Sequence, residues 1–428
     1  MKLINTYKIR LAALNATRKP ARTLLTAGMV AAGTSMLVLS MSWIGGIFDD
    51  MLDIAAKASG HVRIVDSDFA EREQLMPMYE NLPDTDALLA RIEGVEGLVK
   101  AFPKISTGVT VSVGDEIGDV FGLAMGAPNE YFKDYMNAED ELVEGRWFDE
   151  NKEELVLGYT VAERAGAKIG DEVILLGLTQ DGSMSPIKGD LVGIVRAGNG
   201  LYDQGIFVSL ERMRWLVDIP DGAIEVLIYG EDRDQSEQLG EALRVTLGGE
   251  DYVAGGGTLK AGEYNISSWH QRPPWAQMIP MVDAVNGALI FVFVMVVALG
   301  VWVTMMMSVL ERTDEIGVMR AMGLTRWGAV SLFVGEATAI AVIGGILGVA
   351  FGCIPSWYLT VYGLELSEQL TQNMSADMPI STHIYAGLSL KIVITSFFMG
   401  IIMAVTGSLL PAWRASTIQP VVAMRTGH

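Results

Sequence analysis

The sequence predicts an α+β membrane protein: four transmembrane helices, with a large extracytoplasmic α+β domain between the first and the second. Three observations carry that reading. Half of the 428 residues are hydrophobic and the mean hydropathy is +0.33. Two stretches of about 26 residues, Arg22 to Asp49 and Asp283 to Glu311, hold no charge between their ends, whereas about 20 suffice to cross a bilayer. Charge is also partitioned, with a net of −24 in residues 49–281 and +4 in the rest of the chain.

The elements follow in order. Residues 1–22 read as a basic amphipathic segment, "YKIRLAALNATRKPARTLL" continuing into the first span, and Lys2, Lys8, Arg10, Arg18, Lys19 and Arg22 have no acid among them. The positive-inside rule places this segment in the cytoplasm. The first span, 23–48, is about twice the roughly 7–15 residues of a signal-peptide core and no small-residue cleavage site follows, so it is expected to be retained. The second span is 284–310, the third 328–360 and the fourth 386–410, ahead of a tail at 411–428 with Arg414 and Arg425. An even number of spans returns the C-terminus to the cytoplasm. Residues 49–281 then lie outside, with the loop 361–384 and its Glu365, Glu368 and Asp377. So acidic a domain does not suit nucleic acid or anionic headgroups. The single cysteine, Cys353, allows no intrachain disulfide.

Within the outer domain, "TGVTVSV" alternates like a half-buried strand and "IEVLIYG" reads as a buried one. Asp84 is placed to cap "TDALLARIEG", and Asp234 to cap "QSEQLGEALRVTLGG". "HVRIV", helix and "TGVTVSV" make one strand–helix–strand unit, and "IEVLIYG", helix and "DYVAG" a second. The pair predicts a split ferredoxin-like module. The stretch of about 122–216 between them, rich in short strands, predicts an inserted β-rich subdomain. In it, "TQDGSMSP" reads as a hairpin tip, with Thr179, Asp181, Gly182 and Pro186 as its residues.

The membrane segments carry three further signals. After the second span comes "ERTDEIGVMRAMG", residues 311–323, and its Glu311, Arg312, Asp314, Glu315 and Arg320 cannot enter lipid cheaply. A short cytoplasmic helix over 311–326 is expected, with Arg312 set to pair with Glu315 at i,i+3 and other charges available to a partner. Glu336 is a carboxylate inside the third span, suited to interhelix hydrogen bonding or, alternatively, to ion passage. Gly344, Gly348 and Gly352 recur every fourth residue, a face that lets helices approach closely within one subunit or between two.

The stretch "SVLERTDEIGVMRAMGLTRWGAVSLFVGEA", 308–337, resembles the signature of the MacB/FtsX superfamily of ABC transporter permeases. The match rests on Glu-Arg-x-x-Glu-Ile-Gly at 311–317, Arg320-Ala321-x-Gly323, and Glu336-Ala337. The four helices and the one large outer domain resemble that superfamily as well. The resemblance implies a coupling helix in which Glu311, Arg312, Glu315, Ile316, Gly317, Arg320 and Gly323 engage an ABC ATPase. Two copies of that ATPase would bind ATP and Mg, and a second permease subunit, identical or different, would complete the complex. Length and "DDMLDIAAKASGHVRIV" are most similar to the lipoprotein-releasing LolC/LolE-type permeases. There a hairpin at the place of "TQDGSMSP" captures a periplasmic carrier, although this one lacks the basic and aromatic character expected of it. The implied function is transport of lipoprotein or another lipophilic cargo out of the inner membrane. MacB-like efflux of peptide or drug, and FtsX-like signalling to a cell-wall hydrolase, stand as alternatives.

The chain contains no G-x-x-x-x-G-K-[ST]. His61, His270, His383 and His428 fall in no metal-ligand spacing, and no G-x-S-x-G occurs. The expectation is a permease subunit without catalytic residues, metal or cofactor of its own.

Overall fold

The computed structural model describes residues 20–114, 116–197, 200–248, 250–251, 264–365 and 383–417. The basic stretch up to residue 19, Glu368 and Asp377 of the loop, and the tail from 418 with Arg425 lie outside the described residues. Contacts divide the chain into two compact units.

The first unit is a bundle of four helices: Pro20–Ser59 as far as Phe48, Trp275–Glu311 from Met281 onward, Arg326–Tyr362 and Leu390–Thr417. All four are long and apolar enough to span a bilayer, and a helix is one of the few forms that satisfies every backbone group there. Val30, Leu37, Val301, Ala337, Ala341 and Met403 fill the interior, while Phe291, Met295, Val296 and Phe398 face outward. Aromatic residues mark the ends of the third span. Trp327 and Trp413 meet edge to face at 6.3 Å, and Tyr358 and Tyr362 stack at 4.8 Å. Trp327 and Tyr358 are separated by ~46 Å of helical rise, close to the ~40–45 Å of a bilayer with its headgroup regions.

The second unit runs from Asp49 to Pro280. Strands β1 (Val62–Asp66), β2 (Lys100–Val113), β9 (Glu225–Tyr229) and β11 (Tyr264–Ser268) form an antiparallel sheet in the order β11-β1-β9-β2. Helices Thr85–Ile92 and Ser236–Leu247 connect them through Leu88, Ile92, Leu239 and Leu243, which share a core with Val62, Ile64 and Val226. This is the order of a split ferredoxin-like module. The fourth strand is Tyr264–Ser268, not "DYVAG", of which only Asp251 is described, in β10 (Glu250–Asp251) beside β11. Nor does Asp234 cap the second helix: the carboxylate of Asp232 accepts from the Asp234 N–H and starts a 3-10 turn, and the α-helix begins at Ser236. Asp84 caps as expected, accepting from the Ala87 N–H.

The remaining strands are β3 (Glu116–Ala127), β4 (Leu142–Gly145), β5 (Glu154–Gly158), β6 (Glu172–Leu178), β7 (Met184–Val195) and β8 (Gly205–Ser209). Six pairings, β2–β3, β3–β8, β8–β5, β5–β7, β7–β6 and β6–β2, close on themselves. Ring closure removes the exposed edges an open insertion would leave. Ile105, Val109, Leu155, Val173, Leu191 and Ile206 belong to one core. The long strand β2 serves both halves, with Lys100–Lys104 paired to β9 and Thr110–Val113 to β6. The β-rich part therefore begins inside β2, ahead of residue 122.

Candidate functional site

The second spanning helix stops at Glu311, Arg312 breaks the helical path at φ −112° and ψ 20°, and a separate helix runs Thr313–Ala321. It ends in a turn at Gly323, whose φ of +100° lies in the region glycine tolerates. Thr325 then caps the third span by accepting from the Gly328 N–H. The charges forbid continuation into lipid, and the glycine turn sends the chain back.

The short helix has two unlike faces. Ile316 and Gly317 are buried, Ile316 in a cluster with Val309, Phe333, Ala412 and Ala415 of the bundle. Glu311, Asp314, Glu315, Val318, Ala321 and Met322 are exposed, Met322 at 75%. Glu311 ends the preceding helix; within the short helix and its last turn Asp314, Glu315, Val318, Ala321 and Met322 are spaced i, i+3, i+4 and make one stripe, acidic at its start and apolar at its end. Arg320 is half-buried and Gly323 exposed. Sequence reading found the acids. It passed over Val318, three residues beyond Glu315, and Met322, four beyond Val318, which continuing the same count would have found.

Arg312 does not turn to Glu315. Its Nη1 lies 3.5 Å from Oε2 of Glu336, and Glu336 is 1% exposed. A carboxylate buried in a bundle needs a partner, because removing one member of such a pair costs about 3–5 kcal/mol. The arrangement pins the break between two helices to the third span. One signal for it was present: residues 312 and 336 stand equally far from the turn at Leu324, as facing positions of an antiparallel helix pair do.

Gly344, Gly348 and Gly352 lie against the first spanning helix of the same chain. A Cβ on Gly348 would stand 2.5 Å from the Ala31 carbonyl oxygen and 2.7 Å from the Thr34 Cβ; on Gly344 it would meet the Ala27 carbonyl at 2.7 Å, and on Gly352 the Val38 Cβ at 2.8 Å. The face is a close backbone contact between the first and third spans.

The hairpin joins β6 and β7 through Thr179–Ser183. The Thr179 N–H donates to the Ser183 carbonyl at 2.8 Å, and Gly182 takes φ +80°. Its tip is tied down, since the Gln180 N–H donates to the Val217 carbonyl at 2.8 Å and the Gln180 side chain to the Asp218 carbonyl. Asp181 is exposed, and Pro186 lies within β7 opposite Leu176.

Four helices long and apolar enough to cross a membrane, a β-containing domain between the first two, and a short charged helix after the second define a multi-pass membrane protein. Comparison with known proteins agrees. The MacB-like periplasmic core domain matches residues 23–245, and the FtsX-like permease C-terminal domain matches 287–420. The chain belongs to the MacB/FtsX/LolC family of ABC transporter permeases. It is 28% identical over 282 residues to the lipoprotein-releasing system transmembrane protein LolC of Xylella fastidiosa, an alignment covering 63% of this chain and 64% of that one. It is 25% identical to the macrolide export ATP-binding/permease protein MacB of Nitrosomonas europaea, over 66% of this chain and 40% of that one. The periplasmic region of MacB from Actinobacillus actinomycetemcomitans aligns with a TM-score of 0.35 at 14% identity, covering 53% of this chain and 95% of that one.

Proposed function

We propose that this chain is the membrane subunit of a transporter that converts ATP hydrolysis in a partner ATPase into movement of its MacB-like domain, and so moves a lipoprotein or other lipophilic cargo out of the membrane. The observation that carries this is the two-faced helix Thr313–Ala321. Ile316 and the Arg312–Glu336 pair fasten it to the bundle, and Asp314 and Glu315 run into Val318 and Met322 on its exposed face, a surface suited to another protein. A solvated turn between spans needs neither the anchor nor the exposed methionine. In this reading Glu311, Glu315 and Gly323 lie at the contact with the ATPase, two copies of which bind ATP and Mg, and Arg312, Ile316, Gly317 and Arg320 hold the helix for it. The N- and C-termini and this helix lie in the cytoplasm, the MacB-like domain outside, and a second permease subunit completes the complex.

The likeness to LolC supports a lipoprotein cargo, and the likeness to MacB supports efflux of a soluble compound as the second reading. Proteoliposomes holding this chain with its co-purified ATPase, loaded with a triacylated lipoprotein, distinguish them. ATP-dependent release of the lipoprotein into the soluble fraction is the expected result. If lipoprotein stays with the liposomes while a macrolide or peptide stimulates hydrolysis, the efflux reading replaces it. Hydrolysis that responds to neither cargo would contradict both.

A further inference from the structure

The first spanning helix does not trail into a linker at its carbonyl end. Lys57, Ala58, Ser59 and Gly60 are consecutive, and the carbonyl of each accepts a hydrogen bond from a side chain elsewhere in the sequence. The Tyr229 hydroxyl donates to Lys57, the Tyr131 hydroxyl to Ala58 at 2.7 Å, and Nη2 of Arg272 to both Ser59 and Gly60 at 2.9 Å. A helix leaves its last four carbonyls without partners, and the usual remedy is local, a glycine turn with backbone donors. Gly60 supplies the turn, at φ +73°. The donors come from 172, 73 and 213 residues along the chain.

These donors belong to different parts of the domain. Tyr131 follows β3 of the closed ring, Tyr229 ends β9 of the ferredoxin-like sheet, and Arg272 follows β11, three residues before the second spanning helix begins. All three are buried: Tyr131 at 0%, Tyr229 at 1% and Arg272 at 5% exposure. Burial and the nearby Arg63 push the Arg272 guanidinium down to about 9, still charged at neutral pH. One to three turns back, Arg233 holds Asp53 at 2.7 Å and Asp49 at 3.1 Å. Burying an arginine and two tyrosine hydroxyls is costly unless they find partners, and here both hydroxyls and the Arg272 Nη2 find theirs at one helix end, while the Arg272 Nε is buried without one.

We propose that Tyr131, Tyr229 and Arg272 are positioning residues that make the last turn of the first spanning helix an integral part of the MacB-like domain. A shift or rotation of that turn then reaches the ring and the ferredoxin-like sheet together instead of being absorbed by a loose connection. The inference rests on the reading that membrane helices drive this domain, and it adds where the drive is received.

The test is hydrogen exchange on the full chain with its co-purified ATPase in nanodiscs, without nucleotide and after trapping with ATP, Mg²⁺ and vanadate. In the wild type, trapping changes exchange at Thr313–Ala321 and at β1 and β9. Tyr131→Phe with Tyr229→Phe keeps both rings and removes both hydroxyls; the response at β1 and β9 should fall on the order of tenfold, while that at Thr313–Ala321 persists. Arg272→Met should behave likewise. Arg272→Lys should keep the response, because one ammonium can serve the two carbonyls that one guanidinium nitrogen serves now. If Arg272→Met fails to fold, the phenylalanine pair decides alone. A wild-type response that survives in the phenylalanine pair overturns the joint alone. A wild type that responds at Thr313–Ala321 but nowhere in β1 or β9 overturns the functional reading and the joint with it.

Discussion

At the scale of residues, the ion pair of Arg146 with Glu154 affects stability with a clear sign. Arg146 grips Glu154 at the start of β5 with two bonds, 2.6 and 2.7 Å, and the Asp149 N–H adds a third at 3.0 Å. The Arg146 guanidinium, more than any other group, holds the Glu154 carboxyl down at about 2. A depressed acid stabilises the fold above its unfolded value near 4.3 and loses that contribution as pH falls toward 2. Glu154→Gln should therefore cost about 1–2 kcal/mol at pH 7 and flatten the loss of stability between pH 5 and 2.5, read from the fluorescence of buried Trp147. An unchanged acid slope would show that the pair does not set it. Charges inside an apolar chain are conspicuous, and so Glu311, Glu315 and Glu336 were legible as signals in the sequence. Partners are not, because a pairing such as Arg312 with Glu336 depends on where two helices face each other.

At the scale of elements, the bundle makes two predictions. Gly348→Leu drives a side chain into the Ala31 carbonyl and Thr34, atoms that cannot yield without parting two helices. It should cost the bundle about 3 kcal/mol, seen as a lower melting temperature of the purified chain, with hydrogen exchange in β1 and β9 unaltered. Normal melting would mean the helices do not meet there. Arg312→Glu and Glu336→Arg should each cost about 3 kcal/mol, and the double exchange should recover at least half of the summed loss. Strictly additive losses would remove the pair from the account. Elements were unevenly legible. The spans and "TGVTVSV" follow from hydrophobic pattern alone, but the first part of β2 carries Lys100, Pro103 and Lys104 and lacks that pattern. Strand β11 is hidden for a related reason: it buries Asn265, Ser267 and Ser268, so its burial is not written in apolar residues, and "DYVAG" reads more like a strand.

At the scale of the whole molecule, partition of charge was the clearest message of the sequence, since a −24 segment between long uncharged stretches marks off a water-exposed domain from a membrane bundle. The closed ring was not legible, because pairing of β6 with β2 depends on a register that no local pattern encodes. The proposed orientation rests on the positive-inside argument and is checked simply: a periplasm-active reporter fused after residue 200 should be active and one fused after residue 320 silent. The opposite pattern would place Thr313–Ala321 outside and away from any ATPase. The central claim, that this helix receives force, is tested most directly at exposed Glu315. In purified complex in lipid, Glu315→Lys should abolish most cargo-stimulated ATP hydrolysis while cargo binding by the MacB-like domain persists, and Asp134→Lys on that domain's exposed surface should leave stimulation intact. Wild-type stimulation in Glu315→Lys, or an equal loss in Asp134→Lys, would contradict it.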